Sequence, residues 1–263
     1  MRRTAAVGGA CVLVVALGGY AAFHALTRES STPASVKQAL ARLRALPPAE
    51  RSLPSALRGR APAPGVYVYA TGGFEVSHAL GTRRHAYPPR TTMTVSTAAT
   101  ACLRIRWEVL ATREDAILAC RRPDGSWRLL DESESHEFAG HLDRRTYACT
   151  PGSTYLPARL ATGATWTSTC AISDTTTTDS GVVLGARMLA LDGMPVRAVL
   201  IRTTTRVSGV TVGAGTTFTW LEPHTKLIVR RTLANASATR TIIGSVPYVE
   251  RATLMLESPR PRR

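Results

Sequence analysis

Lysine and asparagine are almost missing from this 263-residue chain: Lys37 and Lys226 are the only lysines, and Asn235 is the only asparagine. Acidic residues are also scarce, 18 against 33 basic ones, for a formal net charge of +15. The positive charge is therefore carried almost wholly by arginine, a bias of the kind GC-rich genomes impose, and it attracts polyanions. Missing motifs exclude several chemistries. No Cys-x-x-Cys occurs, and the spacings of Cys102, Cys120, Cys149 and Cys170 match no zinc framework. No Gly-x-Ser-x-Gly elbow is present, and no lysine follows Gly209, Gly213 and Gly215 as a phosphate loop requires; these glycines read as a hairpin or bulge between Val207 and Thr216. His136 and His141 flank Glu137 five residues apart, not the four that place two zinc ligands on one helix face. The acidic run Asp131, Glu132, Glu134 and Glu137 lacks the central glycine of a calcium loop and reads as a solvated loop or strand edge. No catalytic, metal-ligating or cofactor-binding residue is assigned, no ligand-binding residue is identified, and the chain is expected not to be an enzyme.

One long apolar run does occur. Thr4 to Leu26 is uncharged and sits directly behind Arg2 and Arg3. As a helix it spans about 34 Å, enough to cross a hydrocarbon core of about 30 Å. The flanking charge predicts a cytoplasmic amino terminus and a remainder outside. A cleaved signal peptide is the alternative reading of residues 1–27, with Gly19-Tyr20-Ala21 as its best cleavage site. The uncleaved, single-pass membrane anchor is preferred because the run is longer than a signal core. Cys11 precedes the apolar core and lacks the aliphatic residue a lipidation site needs. Outside the cytoplasm the arginine excess meets lipid headgroups or anionic envelope polymers, so no nucleic-acid partner is expected.

Residues 28–64 read as a linker with one short amphipathic helix. Val36, Ala39, Leu40, Leu43 and Leu46 recur at helical spacing, Thr32 and Pro33 supply start residues, and Pro47-Pro48 stops the helix. From Gly65 the period changes to two: Leu103, Ile105, Trp107 and Val109 alternate with Arg104, Arg106 and Glu108. Segments 182–191, 196–207, 216–221 and 246–256 follow the same style, separated by turns such as Asp192-Gly193. The fold expected over residues 65–258 is mainly β, an antiparallel curved sheet or half-barrel behind a single N-terminal transmembrane helix, with a basic tail at 259–263.

Outside the cytoplasm four cysteines are disulfide candidates. Of the three possible connectivities, 102 with 120 and 149 with 170 is chosen because each joins sequential strands. The aromatic residues Tyr67, Tyr69, Phe74, Trp107, Trp127, Trp166, Phe218 and Trp220 are spread over many strands. They serve as core in a closed sandwich, or as the lining of an apolar pocket in a strongly curved sheet.

The segment Thr219-Trp220-Leu221-Glu222-Pro223-His224-Thr225-Lys226-Leu227-Ile228-Val229-Arg230 is similar to the closing hairpin of lipoprotein and lipid carriers of the LolA and LppX type. A long antiparallel meander behind an export segment also resembles those half-open β-barrels, and it looks like uncharacterised exported actinobacterial proteins with paired cysteines. The resemblance covers about Gly65 to Ser258. It implies a half-open barrel and binding of a lipid or other amphiphile at the cell envelope. The alternative is a non-catalytic interaction module whose arginine-rich surface holds an anionic polymer or partner protein.

Overall fold

Period-two alternation governs the chain from Gly65 onward, and each alternating stretch becomes a strand. The computed structural model describes residues 33–263 apart from 79–80, 112, 139–140 and 243, with the backbone alone for 136–138 and 141. The expected membrane span and Cys11 lie outside these residues. Among the described residues no helix is long and apolar enough to cross a membrane.

Fourteen strands form among the described residues. They are β1 (Gly65–Ser77), β2 (Arg83–Ala86), β3 (Arg90–Ala99), β4 (Cys102–Leu110), β5 (Arg113–Arg121), β6 (Trp127–Phe138) and β7 (His141–Cys149), followed by β8 (Thr154–Leu156), β9 (Thr165–Ile172), β10 (Thr175–Leu191), β11 (Met194–Gly209), β12 (Thr211–Leu221), β13 (Ile228–Thr241) and β14 (Gly244–Leu256). Neighbours run antiparallel in the order β2-β1-β3-β4-β5-β6-β7-β9-β10-β11-β12-β13-β14, and β8 lies beside β6. The last strand then returns to the first: β14 pairs with β1 from Tyr69↔Leu256 to Ser77↔Tyr248. Twelve strands therefore close into a barrel. Closure corrects the expected open sheet or half-barrel. Its physical reason is that β1 and β14, both 13 residues long, would each leave a row of unpaired backbone groups at an open edge.

Alternation sorts side chains between wall and lumen. On β11, Ile201, Thr203, Thr205 and Val207 point inward, while Arg202, Thr204 and Arg206 are exposed. Asp192 and Gly193 both take positive φ, 51° and 73°, and make the tight turn between β10 and β11 that the Asp-Gly pair predicts. Gly213 and Gly215 lie within β12 rather than in a turn, and the turn itself falls at Val210. At one end of the barrel, Leu57 and Ala61 from the segment before β1 join Tyr67, Leu103, Trp127 and Leu156 in a single buried cluster. That end is the base.

The expected helix is α1 (Val36–Ala45). Its N-cap is Ser35, not Thr32 or Pro33, and Ser35 and Gln38 form a reciprocal capping box. Ala39 and Leu43 bury against Val66 on the outer wall. Beneath the helix the buried Glu108 accepts hydrogen bonds from Thr92 Oγ1 (2.9 Å) and Thr94 Oγ1 (3.0 Å) and pairs with Arg42 at 2.5 Å. The tail also docks there, since Val66 and Arg262 exchange backbone hydrogen bonds of 2.9 Å in both directions.

Both disulfides form, Cys102–Cys120 and Cys149–Cys170, in the expected pairing. Each joins residues directly opposite in register. Their mechanical roles differ. The β7–β9 seam holds only two register pairs, Ala148↔Ala171 and Cys149↔Cys170, whereas β9–β10 holds eight. Each bridge closes a loop of about 20 residues, a contribution of roughly 3 kcal/mol. Replacing Cys149 and Cys170 by alanine is expected to cost that and also to loosen the seam. Hydrogen exchange then accelerates across β7 and β9, while the Cys102/Cys120 double variant shows no such local change. Equal exchange patterns in the two variants would contradict this assignment.

A lumen with an apolar base and a charged upper half

The barrel is not filled. Its lumen holds a cavity of about 400 Å³ whose wall draws on β3 to β7 and β8 to β14, within the range typical of small-molecule sites. Toward the base the wall is apolar: Met93, Ile105, Trp107, Leu129, Leu156, Trp166, Ile201, Leu221 and Leu233. Trp166 lies against Gly181, the residue opposite it on β10. A Cβ there would come within 2.3 Å of the indole, so only glycine lets the ring lie flat on the wall. Trp107 Nε1 donates to Thr91 Oγ1 at 3.1 Å, which satisfies its one polar atom.

Higher up, the wall turns polar. Thr177, Thr203, Thr205, Thr217 and Thr219 line it together with six carboxylates, Asp115, Glu132, Glu134, Asp143, Asp179 and Glu250, against three arginines, Arg113, Arg145 and Arg231. The lumen is thus acidic inside a strongly basic chain. Most of these charges are consumed by one another. Arg113 is a strut from β5 to the β1–β14 wall, paired with Asp115, with Glu75 Oε2 at 3.5 Å and with Glu250 Oε1 at 3.5 Å. Burial opposes its charge, but Asp115, Tyr248 and Glu250 outweigh that and hold its pKa well above the ordinary arginine value. Tyr87 donates to Glu250 Oε1 (2.5 Å), Asn235 Nδ2 to Glu250 Oε2 (3.2 Å) and Tyr248 to Glu75 Oε2 (2.9 Å). Gly215 makes room for Asn235, whose Oδ1 would lie 2.1 Å from a Cβ. Elsewhere Arg145 Nε donates to Asp143 Oδ2 at 2.8 Å, and Tyr147 donates to Glu134 Oε1 at 2.9 Å.

Two groups stand apart from these pairings. Glu132 on β6 lines the cavity, and among the described residues it accepts no hydrogen bond and stands in no contact ion pair. Burial, then the charges of Asp179 and Glu134, push its pKa up to about 8, with Arg231 opposing. Asp179, three strands along the wall on β10, accepts one hydrogen bond, from Thr205 Oγ1 at 2.5 Å, and burial raises its pKa too. The second group is Arg231, whose Nε is buried without a hydrogen-bond partner.

The sequence-level reading of the acidic run is corrected here. Residues 131–137 are neither a solvated loop nor a strand edge. They belong to β6, an interior strand between β5 and β7, and Glu132 and Glu134 face the lumen. Asp131 takes the opposite phase, with an Arg104 guanidinium 3.8 Å away. His136 and His141 fall on successive strands, β6 and β7, and no helix forms there. The aromatic residues divide: Tyr67, Tyr69, Trp107 and Trp127 are core, and Trp107 and Trp166 line the cavity. Phe74 carries the Arg84 guanidinium 3.7 Å over its ring, and Trp220 carries Arg230 at 5.0 Å.

The fold and lumen define a class: a closed antiparallel β-barrel enclosing one ligand-sized, two-zoned cavity. No family model matches the chain, and no curated protein matches it. Among solved structures it is similar to the hypothetical lipoprotein YmcC of Escherichia coli K12, with 11% identity, a TM-score of 0.34, and coverage of 72% of this chain and 87% of that one. At that identity and score the likeness decides neither ligand nor location.

Proposed function

We propose that this protein is a non-catalytic binding protein, exported to the cell envelope, that holds a small amphiphile in its barrel lumen. The observation that carries the reading is the cavity of about 400 Å³, apolar around Trp107 and Trp166 and polar around Glu132 and Asp179. An amphiphile matches that gradient: its hydrocarbon part replaces water against the base at about 25 cal/mol per Å² buried, and its head takes up polar groups left without partners. An interaction module working through its surface alone has no need of an unfilled interior, so the cavity favours the lumen reading over an arginine-rich docking face. The apolar segment at the amino terminus supports the envelope location, because it suits either an anchor or an export signal.

The test is a titration of the full-length chain, kept soluble in a non-ionic amphipol, with 1-octanol and the polymer alone as blank. Trp107 and Trp166 line the cavity, so their fluorescence is expected to shift saturably with about one octanol per chain. A linear response equal to the blank, showing partitioning without a site, would remove the proposal.

A further inference from the structure

Resting on the lumen reading above, we infer that the head group this cavity selects is cationic, an ammonium or similar amine-derived cation, received between Glu132 and Asp179. Three features of the lumen lead there. The charges of Arg113 and Arg145 are already met by Glu75, Glu250 and Asp143 at fixed distances, and Glu134 holds the Tyr147 hydroxyl, so none of these is available to a ligand without breaking the wall. Glu132 is the opposite case: it projects from an interior strand into open cavity, and among the described residues no protein donor reaches it. Asp179, which lines the same cavity from β10, has one donor among the described residues, Thr205, which leaves acceptor capacity free.

Charge balance fixes the sign of the ligand. The groups that act on Glu132 are Asp179 from β10, Glu134 from its own strand, Arg231 from β13 and Asp115 from β5, with Tyr155 near enough to sense it. Three carboxylates and one guanidinium are an acidic surrounding even though Asp115 is shared with Arg113, and a protonated Glu132 keeps the empty site from gaining a further negative charge near neutral pH. An arriving ammonium does the same work. It donates to both carboxylates, Glu132 ionises, and its proton leaves to solvent: R–NH3⁺ plus Glu132–COOH gives the R–NH3⁺ carboxylate pair plus H⁺. A carboxylate or phosphate head would add a fourth negative charge against the same single Arg231. A neutral alcohol would fill the space but leave Glu132 protonated.

The experiment compares octylamine, 1-octanol and octanoate by calorimetry at pH 7 on the full-length chain in non-ionic amphipol, each in two buffers of different ionisation enthalpy. Octylamine is expected to bind about tenfold more tightly than octanol, the effect of one charged contact in a partly desolvated site, and to release close to one proton per site. Octanoate is expected to bind more weakly than either. Glu132→Gln, which keeps the shape of the side chain, should remove the proton release and abolish the roughly tenfold preference for octylamine over octanol. Octanol binding as tightly as octylamine, or amine binding without proton release, would overturn the cation assignment and leave the lumen site intact. If none of the three probes binds, the lumen reading fails with it.

Discussion

Replacing Arg113 by alanine is expected to destabilise the barrel by about 3–5 kcal/mol, the usual effect of stripping one partner from a buried charge group. The argument lies in where the guanidinium ends. It is 5% exposed, crosses from β5 to the seam where the first and last strands meet, and lies 3.5 Å from carboxylates on both of them. Glu75 and Glu250 are opposite one another in the β1–β14 register, so two negative charges lie side by side in the wall. Without Arg113 they repel at the one seam that has no local connection to hold it. Urea denaturation at pH 7 measures the loss. Arg113→Met combined with Glu250→Gln should recover part of it, because it removes one of the two carboxylates that face each other in the wall and with it their repulsion. A loss below about 1 kcal/mol for Arg113→Ala would show that solvent already reaches this network and screens it.

The second large effect is a change in pH dependence. Glu132 has its pKa pushed from 4.5 to about 8 in the folded chain, with burial the first cause. The folded state therefore holds a proton that the unfolded state gives up above about pH 4.5. Stability is fully supported below that value, falls as pH rises through the interval, and levels off once pH passes about 8. Glu132→Gln removes the titration and with it that part of the slope. Relative to the wild type, the variant should gain about 4 kcal/mol between pH 5 and pH 9, or roughly 8–16 °C in Tm for a chain of this size. The gain should be absent at pH 5, where both chains are uncharged at this position. Parallel stability curves for the two proteins across that range would show that Glu132 is ionised and solvated like a surface carboxylate.

How much of this was legible beforehand depends on whether the cause is local. Strand alternation is local, and Leu103 to Val109 announces β4 without help. So is the Asp192-Gly193 turn, whose backbone conformation few other residue pairs adopt. The disulfides followed from neighbouring strands in a single antiparallel order. Barrel closure was not legible, because β1 meets β14 across almost the whole length of the domain and nothing near Tyr69 or Leu256 encodes that meeting. Inward and outward faces were also ambiguous. In a barrel with a polar lumen, Thr203 and Thr205 face in while Thr204 faces out, so hydropathy does not tell the sides apart. That is why the acidic run reads as solvated from hydropathy alone, although Glu132 and Glu134 line an interior. Reading its period would have helped, since Glu132 and Glu134 stand two apart and share a phase, whereas Asp131 takes the other.

The lumen as a binding site is tested most directly by filling it. Thr203 projects into the cavity from β11, with Asp179 on the adjacent β10 and Trp166 one strand further on, on β9. Thr203→Trp puts an indole into that space without touching the Arg113 network or either disulfide. The measurement is octylamine affinity by calorimetry on the wild type and Thr203→Trp, with circular dichroism confirming that both remain folded. A folded variant whose affinity falls more than tenfold is the predicted result; a folded variant that binds octylamine as the wild type does would contradict a ligand site inside the barrel.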